Sequence, residues 1–99
     1  MAFSQWWTFS DAMVASDLDN GAVYEFADAN GTIVYIGSTN ALQRRMKEHL
    51  SEDAKNCLKI HAKQYRCDYR SDYVTEEKRL YNAFVIANGT KPRCNSISP

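Results

Sequence analysis

The sequence predicts an α+β fold: a small three-stranded antiparallel sheet flanked by helices. Three observations carry this. The β-rich runs "AVYEF" and "TIVYIG" surround Asn30-Gly31, a turn-forming dipeptide. Further on, "IHAKQYRCDYR" alternates well enough to be a third strand. Residues 41–50 and 74–87 instead repeat their apolar side chains at helical spacing. The 99 residues leave room for one core and no more.

At the start, "MAFSQWW" lacks the basic region and long apolar core of a signal peptide, so export is not expected. No apolar run approaches the length of a membrane span. Ser10-Asp11 caps a short helix at "AMVAS", with "WWTF" packing at its entrance, and "LDNG" then breaks the chain. Asn30-Gly31 fits a type I′ turn. With a two-residue loop Tyr24 lies opposite Gly37 and Phe26 opposite Tyr35; a four-residue loop puts Tyr24 opposite Tyr35. Both registers place the two tyrosines on one face, because side chains alternate with period two. Gly37 opens space beside them.

Ser38, Thr39 and Asn40 offer N-caps for the first long helix, and "SEDAKN" after it is polar loop or a helical turn. On the third strand Tyr65, Cys67 and Tyr69 share a face. Asp72 or Thr75 caps the last helix, Asn88-Gly89 closes it, and Pro92 keeps "KPRCN" extended.

The net charge of zero hides a segregation. Residues 1–43 hold five acids and no Lys or Arg, whereas 44–70 hold eight bases against four acids. A local basic surface suits a phosphate backbone, with Arg44, Lys47, Lys59, Lys63, Arg66 and Arg70 as candidate contacts. A pI near 6.7 argues against strong indiscriminate DNA binding. The three cysteines, Cys57, Cys67 and Cys94, are odd in number and lack CxxC spacing. That favours reduced thiols in the cytoplasm over a disulfide framework or zinc site.

Two helices carry polar residues on faces that turn inward. Leu42, Arg45, Met46, His49 and Leu50 form one stripe, with Arg45 and His49 a turn apart and Arg44 free to pair with Glu48. Glu77, Leu80, Phe84 and Ala87 form another. A carboxylate in such a line needs a partner, either a base such as Arg45 or a metal ion.

The order of these signals resembles the GIY-YIG nuclease domain. The motif halves stand here as Ala22-Val23-Tyr24 and Tyr35-Ile36-Gly37, with Arg45 eight residues beyond Gly37 and His49 four further on. Glu77 with Leu80 is similar to the family's E-x-x-L helix, and "KPRCN" to its closing Pro-x-x-Asn, ending at Asn95. Alanine replaces the family's usual first glycine, with Gly21 one place earlier. The last helix is also longer than in compact members, which leaves Glu76 open as an alternative to Glu77.

The resemblance divides the chain into an N-terminal helical extension, 1–20, and a GIY-YIG-like domain, 21–99. It implies a metal-dependent endonuclease acting on DNA, or on RNA, with one Mg²⁺ or Mn²⁺ held by Glu77 and water. Tyr24, Tyr35, Arg45, His49, Glu77 and Asn95 are its implied catalytic residues, converging on one shallow cleft of the sheet. Tyr24 orients or deprotonates the attacking water; Tyr35 and Asn95 position phosphate and neighbouring side chains. A homo-oligomer or a separate targeting protein is compatible with so small a chain. The competing reading is a non-catalytic nucleic-acid-binding module on the same fold; a protein-interaction domain using Trp6 and Trp7 has less behind it.

Overall fold

The computed structural model describes residues 3–96. Four strands form one antiparallel sheet: β1 (Trp7–Thr8), β2 (Ala22–Ala27), β3 (Ile33–Thr39) and β4 (Gln64–Tyr69), in the order β1-β4-β2-β3. The fourth strand corrects the expected three. β1 pairs Trp7 with Tyr65 and Thr8 with Gln64. Two residues are too short to show a period, so only the partner strand reveals them.

Of the two registers left open by the sequence, the hairpin takes the one that a two-residue loop would give, but by another route. Gly31 has φ 85°, but no non-glycine residue among the described ones has positive φ, which excludes the type I′ turn assigned to Asn30-Gly31. Instead Asp28 N donates to Thr32 O at 2.9 Å and Gly31 N to Asp28 O at 3.0 Å, closing a loop over Ala29, Asn30 and Gly31. The Asp28 carboxylate accepts the amides of Asn30 and Thr32 at 2.9 and 3.0 Å. This odd loop shifts the pairing to Ala27–Ile33. A bulge at Val34 then shifts it back, so that Phe26 faces Tyr35 and Tyr24 faces Gly37. The two irregularities cancel, and Tyr24 and Tyr35 stay on one face.

Helices cover both sides. Tyr24, Phe26, Tyr65 and Cys67 point to the side where α1 (Asp11–Val14), α2 (Leu42–Leu50) and α3 (Cys57–His61) supply Val14, Leu42, Met46 and Leu58. Phe9 meets Phe26 edge-on at 4.8 Å, and Trp7 meets Tyr65 at 5.7 Å, so the N-terminal residues belong to this core. On the opposite side α4 (Tyr73–Asn88) lies against β2 and β3. No helix among the described residues is long and apolar enough to cross a membrane.

Local expectations change where tertiary contacts intervene. α2 begins at Leu42 behind Ala41, which makes no side-chain cap bond. The amides of Leu42, Gln43 and Arg44 are met instead by Asn20 O, Leu18 O and the Asp19 carboxylate, at 3.0, 3.2 and 3.0 Å. The "LDN" breaker thus caps a helix more than twenty residues ahead. Residues 57–61 form α3, capped by Asn56, so the strand expected from "IHA" starts only at Gln64. α4 ends on Gly89 in the left-handed region, as read from Asn88-Gly89. Asp72 occupies its N-cap position, but its carboxylate pairs with Arg70.

The cysteine assignment is overturned for two of three residues. Cys57 and Cys94 form a disulfide, their Cα atoms 5.5 Å apart, and only Cys67 remains a free thiol, buried in the core. Folding brings together residues 37 apart in sequence, which spacing alone does not reveal. The thiol argument for a reducing compartment loses its basis.

Candidate active site

β3 is an edge strand, and the site is strung along it. Tyr35, Ile36, Gly37 and Ser38 each meet a different sequence-predicted residue or its neighbour. Alternation sends Tyr35 and Gly37 toward α2, and Ile36 and Ser38 toward α4.

On the α2 side Tyr24, Tyr35, Arg45 and His49 come together. The Tyr24 and Tyr35 rings stack with centroids 6.0 Å apart. The Tyr24 hydroxyl lies 3.1 Å from His49 Nε2, and the Arg45 guanidinium and Tyr35 lie beside it. Gly37 is required by this crowding: a Cβ there would stand 2.7 Å from the Tyr24 hydroxyl and 2.7 Å from the Tyr35 ring. Tyr24 and His49 are each 1 % exposed, whereas Arg45 keeps 39 % of its side chain in solvent. Arg45 and half-buried Tyr35 are therefore the outer members of the cluster.

Burial dominates the electrostatics. It pushes the Tyr24 phenol far above its ordinary value; Tyr35 adds to the effect and Arg45 opposes it. Burial lowers His49 below the usual imidazole value, helped by Arg45 and opposed by Glu52, whose carboxylate hydrogen-bonds Nδ1. At neutral pH the site holds a neutral phenol and a neutral imidazole. Arg45 pairs with Glu48 at 2.9 Å, which corrects the expected Arg44–Glu48 pair; Arg44 reaches Asn40 at 3.0 Å instead.

Glu77 and Asn95 do not join that cluster on its face of the sheet, contrary to the single shared cleft expected. Glu77 approaches from α4 and accepts the Ser38 hydroxyl at 2.5 Å, one residue beyond Gly37. Asn95 comes along the open edge of β3: its Oδ1 accepts Ile36 N and its Nδ2 donates to Ile36 O, both at 3.0 Å. Asn95 clamps the strand between Tyr35 and Gly37, using its carbonyl oxygen and one of its two amide hydrogens. Cys94 N extends the clamp to Val34 O at 2.8 Å.

Glu76 and Glu77 have different surroundings. Glu76, 5 % exposed, is gripped by Arg79 through both oxygens and by Arg70 at 3.4 Å, and its carboxyl is held below the usual range by Arg79 above all. Glu77 makes no ion pair among the described residues, and burial raises its carboxyl above the usual range, with the Ser38 bond and the charge of Lys78 opposing. No cluster of three or more His, Cys, Asp or Glu among the described residues could hold a metal ion. A half-buried carboxylate with one oxygen unengaged fits a hard cation that keeps most of its waters and borrows phosphate oxygens.

Of the basic residues named for phosphate contact, Arg44 and Lys47 are exposed on α2. With Asp19, Gln43, Glu48 and Ser51 they line a shallow depression of about 450 Å³. Lys63 is exposed as well, and Lys59 donates to Leu50 O at 2.7 Å, closing the end of α2. Arg66 is not available: it pairs with Glu25 at 2.7 Å and lies 4.3 and 4.6 Å from the Phe3 and Trp6 rings. Arg70 is held by Asp68, Asp72 and Glu76. Sequence reasoning missed Ser38 and Glu52. For Glu52 the i,i+3 spacing from His49 was the only signal, and it crosses the helix end.

Comparison with curated proteins finds no match. A family model described as the GIY-YIG catalytic domain matches residues 20–84, a span that contains Tyr24, Tyr35, Arg45, His49 and Glu77 and stops short of Asn95. With an α+β sheet of that pattern and both motif strands paired around Gly37, the chain belongs to the GIY-YIG family.

Proposed function

We propose that this protein is a divalent-metal-dependent endonuclease that hydrolyses phosphodiester bonds in DNA. Its family indicates a nuclease-type function and a nucleic-acid substrate in general. The observation that carries the finer reading is the Tyr24–His49 hydrogen bond of 3.1 Å beside a partly exposed Arg45, with the Glu77 carboxylate of α4 held by Ser38, one residue beyond Gly37.

Arg45 binds the phosphoryl oxygens and offsets the charge that grows on them, since guanidinium geometry matches phosphate. Tyr35, the outer tyrosine, and Tyr24 beneath it orient the attacking water. A buried phenol is too weak an acid to serve as a standing phenolate, so its role is to pass a proton inward. His49 Nε2 accepts it. Asn95 holds the backbone of β3 so that Tyr35 and Gly37 keep their places. Glu77 would hold one Mg²⁺ or Mn²⁺, positioned by Ser38; when bound, such an ion supplies Lewis-acid stabilisation of the leaving oxygen.

The test is incubation of the purified protein with labelled single- and double-stranded DNA, in Mg²⁺, Mn²⁺ or chelator, beside Glu77→Ala. Metal-dependent cleavage that disappears in the variant is the expected result. Salt-sensitive binding without turnover under any metal would make the chain a binding module.

A further inference from the structure

We propose that Glu52 is a positioning residue of this site: it fixes His49 with its proton on Nδ1 and so leaves Nε2 as the acceptor for the Tyr24 hydroxyl. The proposal rests on the nuclease reading for its catalytic consequence. Its structural half stands on geometry alone.

The His49 ring bridges two partners. Nδ1 meets a Glu52 carboxylate oxygen, and Nε2 meets the Tyr24 hydroxyl at 3.1 Å. A carboxylate only accepts, so Nδ1 must carry the proton, and in a neutral ring Nε2 is then unprotonated. The Tyr24 hydroxyl therefore donates to Nε2. The turn after α2 builds the arrangement: Ser51 N donates to Lys47 O and Glu48 O at 3.1 Å each, and Glu52 N to His49 O at 3.3 Å. This folds residue 52 back over the imidazole. The ring is 2 % exposed and the carboxylate 26 %, so the pair is partly shielded from water.

The other groups facing His49 do not replace Glu52. Tyr24 and Phe26 on β2 and Tyr35 on β3 present ring edges and faces at 5.2–5.8 Å. On its own helix Arg45 disfavours the imidazolium, and Glu48 is spent on Arg45 at 2.9 Å. Among the described residues, Glu52 alone both contacts the ring and favours its charged form.

The proton transfer balances as follows. One O–H bond of the attacking water breaks as its oxygen bonds phosphorus. The released proton is taken by the tyrosine pair, and Tyr24 gives its own hydroxyl proton to His49 Nε2, remaining a phenol. The imidazolium formed lies against the Glu52 carboxylate, which stays unprotonated. The leaving oxygen departs with the P–O electron pair and takes a proton from solvent.

The experiment compares wild type, Glu52→Ala and Glu52→Gln by pH–rate profile and by ¹⁵N NMR of the His49 ring in the full chain. The wild-type ring should show protonated Nδ1 and unprotonated Nε2. In Glu52→Ala the plateau rate should fall roughly 10- to 100-fold, part of the contribution general acid–base catalysis makes. Its acidic limb should move to lower pH, because His49 loses the carboxylate that raises its value. Glu52→Gln still accepts from Nδ1 and should fall between the two; it carries the test if the alanine variant does not fold. A protonated Nε2 in wild type overturns the proposal. So does a rate loss uniform across pH with the limb unmoved, which a purely structural role would give. If wild type cleaves nothing, the nuclease reading fails, and the ring's protonation still decides whether Glu52 sets it.

Discussion

Gly37 shows how closely one residue can govern the site. A methyl group there would overlap the Tyr24 hydroxyl and the Tyr35 ring, so Gly37→Ala should displace both tyrosines and cut cleavage while the core beneath stays folded. Near-UV circular dichroism alongside cleavage assays would register the ring displacement; an unchanged spectrum and rate would mean the rings can yield. Glu77 and Arg45 should separate by kinetics. Glu77→Ala removes a carboxylate without an ion-pair partner among the described residues, so it should abolish turnover and leave DNA affinity equal or tighter, since like-charge repulsion with phosphate is lost. Arg45→Ala should lose both, because its charge serves ground state and transition state alike. Gel-shift titrations without metal, beside cleavage with it, distinguish the two patterns.

At the scale of elements, Glu76 on α4 belongs to the packing of the helix start. It ties Arg79 and Arg70 to the helix start through a buried carboxylate, so Glu76→Ala should destabilise the fold by about 1–3 kcal/mol. Urea unfolding would measure this, and an unshifted midpoint would show the arginines re-pairing at no cost. The segment after α4 acts as a strap. Asn95 and Cys94 bond β3 at Ile36 and Val34, covering an edge that would otherwise expose unpaired amides, and the Cys57–Cys94 disulfide anchors the strap to α3. Closing a loop across 37 residues stabilises the fold by about 4 kcal/mol in the chain-entropy account. Reduction, or paired Cys57→Ala and Cys94→Ala, should therefore lower the unfolding midpoint markedly; equal midpoints in oxidised and reduced protein would show the strap holding without its anchor.

The whole molecule is electrically neutral, and the fold spends much of its basic segment internally. Arg66 and Arg70 are ion-paired and Lys59 closes a helix, which leaves Arg44, Arg45, Lys47, Lys55 and Lys63 of that segment to meet phosphate. Each phosphate neutralised contributes about −0.9 to the slope of log affinity against log salt, so three or four contacts predict roughly −3 on duplex DNA. A slope twice as steep would mean that a basic surface other than these residues meets the backbone.

Periodicity and short motifs determined a good deal of this protein unaided: the α+β class, the two motif strands, the stripe carrying Arg45 and His49, and the Gly89 helix stop. These follow from local alternation and backbone preference, which neighbouring residues set among themselves. Other features needed distant partners. β1 exists because β4 lies beside it, α2 is capped by Asp19 from another part of the chain, and Cys57 finds Cys94 only after folding. The hairpin is the clearest division. That Tyr24 and Tyr35 share a face followed from alternation, yet the register itself is set by a loop and a bulge that compensate each other through hydrogen bonds that no propensity encodes. Likewise sequence could not rank Glu76 against Glu77, because adjacent residues on a helix differ only in what packs against them. The arginines that occupy one and the serine that holds the other come from the tertiary structure.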